Sequence, residues 1–156
     1  MKKIRTLERM VLLFGAVAVV VIVTLAGIDM HQHVQYRRQY RTMGDMRTLA
    51  TAMESYSIDA RVYPITPKDR LVEAEWLAKL LEPTYVKAMP RVDAWGRALL
   101  VESAATEYTI ISRGSDGSAD GPNVPRPSAN GGTSDIRSDL IFSTGSFVQF
   151  PESRGD

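Results

Sequence analysis

The sequence predicts an α+β protein in which one long amino-terminal helix, apolar in its first half and amphipathic in its second, packs on a small antiparallel β-sheet that ends in a loop. Three observations carry that class. Met10 to Ile28 is an unbroken apolar run. Asp29 to Ala60 contains no proline and only Gly44 as an interruption, with apolar residues recurring at helical spacing. Beyond Gly96, β-branched and apolar segments alternate with turn-sized gaps.

In the first run, "MVLLFGAVAVVVIVTLAGI", only Thr24 brings a polar side chain. As a helix rising about 1.5 Å per residue it is about 28 Å long, close to the ~30 Å hydrocarbon thickness of a bilayer. Residues 10–28 are therefore expected to span a membrane once. The run exceeds the apolar core of about 7–15 residues found in cleaved signal peptides, so the span is expected to stay, although Thr24-Leu25-Ala26 is a passable cleavage site. Lys2, Lys3, Arg5 and Arg9 precede it, and the positive-inside rule makes residues 1–9 a cytoplasmic basic leader. Arg37, Arg38, Arg41 and Arg47 follow at a distance and weigh less, so the carboxyl domain is expected on the other side. Glu8, in "TLERMVLL", lies within one turn of the apolar run. A carboxylate there is costly unless paired, which makes it a candidate assembly residue; pairing with Arg5 or Arg9 at headgroup level is the other reading.

Residues 29–62 extend the helix. Met46, Leu49, Met53 and Tyr56 follow the 3,4,3 spacing of one helical stripe. His31 and His33 are two apart, so they point about 200° from each other on a helix and are expected to be exposed, not a chelating pair. "VYPITP", Val62 to Pro67, ends the helix, because each proline disfavours helix in the residue before it. A short second helix is expected over Val72 to Leu81, with Trp76, Leu77, Leu80 and Leu81 on one side and Pro83 as its stop. Trp76 and Trp95 are expected in the core. "RALLVES", Arg97 to Ser103, and "EYTIISR", Glu107 to Arg113, read as a β-hairpin. Asp120 to Ser134 reads as loop, broken by Pro122, Pro125, Pro127, Gly131 and Gly132. Asp139 to Phe150 offers one or two short strands around Gly145. Residues 63–150 thus form an α+β head and 151–156 a frayed tail, whose Arg-Gly-Asp ending is a chance match to an adhesion tripeptide.

The chain carries 19 Lys and Arg against 18 Asp and Glu, a net charge of +1, so nothing in the balance asks for a nucleic-acid partner. It has no cysteine, which excludes disulfides and thiolate metal sites. No catalytic set is visible. Ser112, Ser115 and Ser118 have no histidine in the carboxyl domain to activate them, and Asp59, Asp69 and Asp93 stand apart at expected helix ends and turns. An enzyme is not expected.

One stretch asks for an oxygen-loving cation or for a tight turn. In "ISRGSDGSADG", Ile111 to Gly121, counting from Asp116 puts Asp116, Ser118 and Asp120 at positions one, three and five and Gly121 at six. That is the front half of an EF-hand loop. Position twelve is Pro127 where the bidentate Glu should stand, and a strand precedes the loop, so an EF-hand is excluded. A hard-cation site completed from elsewhere and a glycine-rich turn closed by Asp116 both remain.

Five stretches taken in order carry a resemblance: "TLERMVLLFGAVAVVVIVTL", "YSIDARVYP", "EPTYVKAMPRVDAWGRAL", "EYTIISRGSDG" and "SDI" at Ser134 to Ile136. Together they resemble the major pseudopilin of type II secretion systems, within the type IV pilin-like superfamily. In physical terms, Asp93 is placed to close a turn onto the backbone, Trp95 to fill the groove between helix and sheet, and Gly96 to supply a positive φ before the strand. The resemblance implies the pilin-like version of the fold above. It also implies a calcium site made of the Arg113 carbonyl and the side chains of Asp116 and Asp135. Ser118 and Asp120 join that set from spacing alone, with Asp139 in reserve. The ion's expected role is structural.

For assembly, the resemblance implies a filament subunit that pairs with copies of itself or other pilin-like subunits and with inner-membrane components of the secretion system, its span in lipid and its head in the periplasm. Glu8 would then neutralise the amino terminus of a neighbour. The amino terminus departs from the family pattern: no Gly precedes "RTLERMV", and Thr6-Leu7-Glu8 lacks the residue that the family has between Leu and Glu. A single-pass scaffold or binding module that keeps its leader is the second reading.

Overall fold

The computed structural model describes residues 2–67, 70–119, 132–133 and 135–151; the side chains of residues 2–12, 29, 133 and 151 lie outside that description. The chain divides into two compact units, residues 1–35 and 36–156. Helix α1, Lys2–Ala60, runs through both.

In the first unit, every described side chain from Leu13 to Ile28 is exposed. Thr24 turns its hydroxyl back onto its own helix, donating to the carbonyls of Val20 (3.0 Å) and Val21 (2.8 Å). The one polar side chain of the run is thereby satisfied internally, as a lipid-facing helix requires. This is a helix long and apolar enough to cross a membrane. His31 and His33 are exposed, as their spacing predicts. Val34 is exposed as well, so it adds nothing to a core.

The second unit is built on the later part of α1. Met46, Leu49 and Met53 are fully buried and Tyr56 packs partly against them, so the expected stripe is the inner face of the helix. Met43 joins this stripe. The helix stops at Ala60 because Arg61 takes φ 62°, two residues before the end expected from the proline pattern.

Strand β1 (Val72–Glu73) and helix α2 (Glu75–Leu81) replace the single second helix expected from Val72. Only α2 is helical, since Val72 and Glu73 pair along the free edge of the next strand. Leu77, Ala78 and Leu81 are buried, whereas Trp76 is 40% exposed and Leu80 39%. The expectation of Trp76 in the core is corrected here. Residues 76/80 and 77/81 are neighbouring i, i+4 pairs, and so short a helix turns only one of them inward.

Strands β2 (Leu100–Ser103), β3 (Tyr108–Ser112), β4 (Gly132–Thr133), β5 (Leu140–Ser143) and β6 (Ser146–Pro151) complete a sheet of order β1-β2-β3-β5-β6-β4 among the described residues. The expected hairpin is β2–β3, with Val101 opposite Ile110. Strand β5 pairs antiparallel with β3, placing Phe142 opposite Ile110, and turns through Thr144 and Gly145, both at positive φ, into β6. The loop expected over Asp120–Ser134 is corrected at Gly132 and Thr133, which add a short parallel strand against Phe150 and Pro151 of β6. The rest of that stretch, the prolines included, and the tail 152–156 lie outside the described residues.

The core fills the space between α1, α2 and the sheet: Leu77, Leu81, Leu99, Val101, Ile110 and Leu140 are all fully buried. A polar tie crosses it. The Glu54 carboxylate on α1 accepts the hydroxyls of Tyr63 (2.8 Å) and Tyr108 (2.9 Å), which pins the helix to β3 and to the segment following α1.

Candidate functional site

The region that the sequence singles out starts from a turn before β2. Asp93, 4% exposed, uses Oδ1 to accept the backbone N–H of Trp95 (2.9 Å) and of Arg97 (3.0 Å), and Oδ2 to accept the Ser112 hydroxyl (2.8 Å). Gly96 takes φ 85°, which a side chain would resist. The Ala94 N–H donates to the Thr42 hydroxyl on α1 (3.0 Å). Asp93 and Gly96 thus have the turn roles that their residue types predict. Trp95 lies half-buried beside them and outside the core cluster expected for it, because the turn that carries it sits at the surface end of β2.

That turn aims Arg97 at the acidic loop. Its guanidinium donates to the carbonyls of Gly114 (2.7 Å) and Ser115 (3.0 Å). Within the loop, the Gly117 N–H donates to the Arg113 carbonyl (3.0 Å) and the Ser118 N–H to Asp116 Oδ1 (2.9 Å). A Cβ added to Gly117 would stand 2.5 Å from Arg97 Nε, so the loop closes around this arginine.

The far side of the loop is the segment before β5. The Ser115 N–H donates to the Ile136 carbonyl (3.3 Å). Gly114 (φ 59°) lies so close that a Cβ there would be 2.3 Å from the Arg137 carbonyl oxygen and 2.5 Å from that of Ser138. Asp135 accepts from the backbone N–H of Arg137 (2.9 Å) and, through both oxygens, from its guanidinium at 2.9–3.2 Å. Those hydrogen bonds hold the Asp135 carboxyl below its ordinary value. In return Asp135 raises the pKa of Arg137, with a smaller push from the charge of Asp116. Arg113 faces the buried carboxylate of Asp139 at 3.6 Å.

The structure brings the loop bearing Arg113, Asp116 and Ser118 against the segment bearing Asp135 through the Ser115–Ile136 hydrogen bond. In this arrangement each makes contacts within the protein. Arg113 gives its carbonyl to Gly117, Asp116 caps Ser118, Ser118 supplies an N–H, and Asp135 is forked by Arg137. Among the described residues no group of three or more His, Asp or Glu side chains converges as a metal site would. Asp120 and the side chain of Glu8 lie outside the described residues. Reading the sequence for oxygen donors overlooked the two arginines. The signal for Arg137 was its place two residues after an acid in a turn, and for Arg97 its place directly after the turn glycine.

The type II secretion system protein G family matches the chain over residues 30–127, well over half of its 156 residues. The chain belongs to that family. It is a type II secretion pseudopilin, and its long helix on a small antiparallel sheet is the α+β, pilin-like fold. Neither a curated protein nor a solved structure matches it. The match to this pseudopilin takes in the later part of α1, the Asp93 turn, the hairpin and Asp116, and stops before Asp135 and Arg137.

Proposed function

We propose that this pseudopilin is a structural, non-enzymatic subunit that assembles through the apolar part of α1 into a secretion filament rooted in the bacterial inner membrane. One observation carries the reading: the described side chains from Leu13 to Ile28 form a continuous exposed apolar surface whose single polar side chain is already satisfied. Such a surface is stable only against lipid or against other helices. Lipid suits the subunit before assembly, and the spans of neighbouring pilin-like subunits suit it afterwards. Lys2, Lys3, Arg5 and Arg9 keep the amino terminus on the cytoplasmic side, which sends the head to the periplasm. Glu8 serves assembly by pairing with a basic group of the adjacent subunit, where the low dielectric makes an unpaired acid costly.

The head contributes shape and stability. Its acidic side chains nearest the loop cap turns or pair with arginine, and it contains no histidine to activate a serine. Inner-membrane components of the secretion system are the expected partners in adding and removing subunits. The test is gentle detergent extraction of membranes from cells expressing the full chain with its own secretion machinery. Assembly predicts recovery in large complexes together with other pilin-like subunits. Elution solely as a monomer from secretion-competent cells contradicts it.

A further inference from the structure

We infer that the arginine pair Arg97 and Arg137 takes the place of a structural calcium ion in this head, so that the described part of the loop after β3, residues 113–119, is held by guanidinium groups and is insensitive to calcium. A metal at this point would have to do two things. It would draw the loop's carbonyl oxygens inward, and it would tie the loop's acid to the acid of the segment before β5. Both tasks have an occupant. Arg97 gathers the carbonyls of Gly114 and Ser115 at 2.7 and 3.0 Å. Arg137 grips both oxygens of Asp135 and stands close enough to Asp116 to feel its charge. The Ser115 N–H on the Ile136 carbonyl and the tight seat of Gly114 against residues 137 and 138 add further contacts between the loop and that segment.

The chemistry of the donors points the same way. A guanidinium cannot lose its charge at working pH and offers a planar fork that fits one carboxylate at two points. A dication seated on Asp135 would have to displace that fork and then sit beside the displaced positive charge. The carbonyl of Arg113, the other expected ligand, accepts the Gly117 N–H, and the Arg113 side chain faces Asp139.

The test uses the full chain purified in detergent. Melting is followed by tryptophan fluorescence with either millimolar calcium or a chelator, and radioactive calcium binding is measured by equilibrium dialysis. Arginine closure predicts the same melting temperature in both conditions and no stoichiometric calcium retention. Arg137→Gln should lower the melting temperature by about 2–4 °C, the size expected for losing one exposed forked pair in a chain of this length, and Arg137→Lys should fall between the two. A wild-type protein that retains one calcium ion, through Asp120 or otherwise, or that melts lower in chelator, overturns the inference. So does an Arg137→Gln protein that melts with the wild type.

Discussion

Replacing Asp93 by Ala should lower stability by about 3–4 kcal/mol, because it strips a turn of its only, buried carboxylate. The side chain accepts from the Trp95 N–H, the Arg97 N–H and the Ser112 hydroxyl at 2.8–3.0 Å. Hydrogen bonds to a charged group contribute about 1.5–3 kcal/mol each, which puts the gross loss of three at about 4.5–9 kcal/mol. Holding a carboxylate at 4% exposure costs several kcal/mol in desolvation, which offsets part of the sum. The donors left behind are unequal. Ser112 is fully buried, whereas Trp95 and Arg97 are partly exposed and water can reach them. Asp93→Asn keeps one acceptor for the two backbone groups and presents an amide N–H to the serine oxygen, so it should cost only about 1 kcal/mol. Thermal melting of the full chain in detergent, read by tryptophan fluorescence next to the lesion, should place Asp93→Ala about 10 °C below wild type and Asp93→Asn a few degrees below. An alanine variant within about 1 kcal/mol of wild type, or one no worse than the asparagine variant, would refute the assignment of this turn as held by its carboxylate.

Gly114→Ala should cost about 3 kcal/mol, since a Cβ there would overlap the carbonyl oxygens of Arg137 and Ser138 and the φ is 59°. Gly145→Ala, at φ 90° with nothing within 4 Å, should cost only about 1–2 kcal/mol in the same melting assay. Burial, helped by the bond to Glu54, raises the Tyr108 phenol above its ordinary value of 10.0, so its contribution is whole below pH 10.0 and is lost as pH climbs toward the raised folded value. Tyr108→Phe should therefore cost about 1.5–3 kcal/mol at neutral pH and flatten the alkaline fall of stability measured by denaturant titration.

What could be read from the sequence was local or periodic. The buried stripe of Met46, Leu49 and Met53 follows from the helical period, and the roles of Asp93 and Gly96 follow from residue types confined to one turn. The hairpin was legible because its two strands are close in sequence and rich in β-branched residues. The misses were decided over distance. Val72 and Glu73 form a strand because β2 offers a free edge, and Gly132 and Thr133 because β6 does. Trp76 faces outward because periodicity names a stripe without saying which of two adjacent stripes meets the core. For the loop after β3, the acids were visible in the sequence. Their counter-charges were not visible, since the partner of an arginine is set by which turn delivers it: Arg97 comes from a turn held by Asp93, 17 residues before the Gly114 carbonyl that it reaches.

The central claim, that the apolar part of α1 is an assembly surface, is tested most directly by disulfide crosslinking of the spans in intact membranes. The chain has no cysteine of its own, so introduced pairs report cleanly. A single cysteine can link at most two subunits, whereas two at different heights, such as Val17→Cys with Leu25→Cys, can link many if neighbours contact each other head to tail. Across a panel of such pairs between Leu13 and Ile28, the account predicts a ladder of oxidised species extending well beyond the dimer when secretion is active. Monomers and dimers alone, at every pair tested, would contradict it.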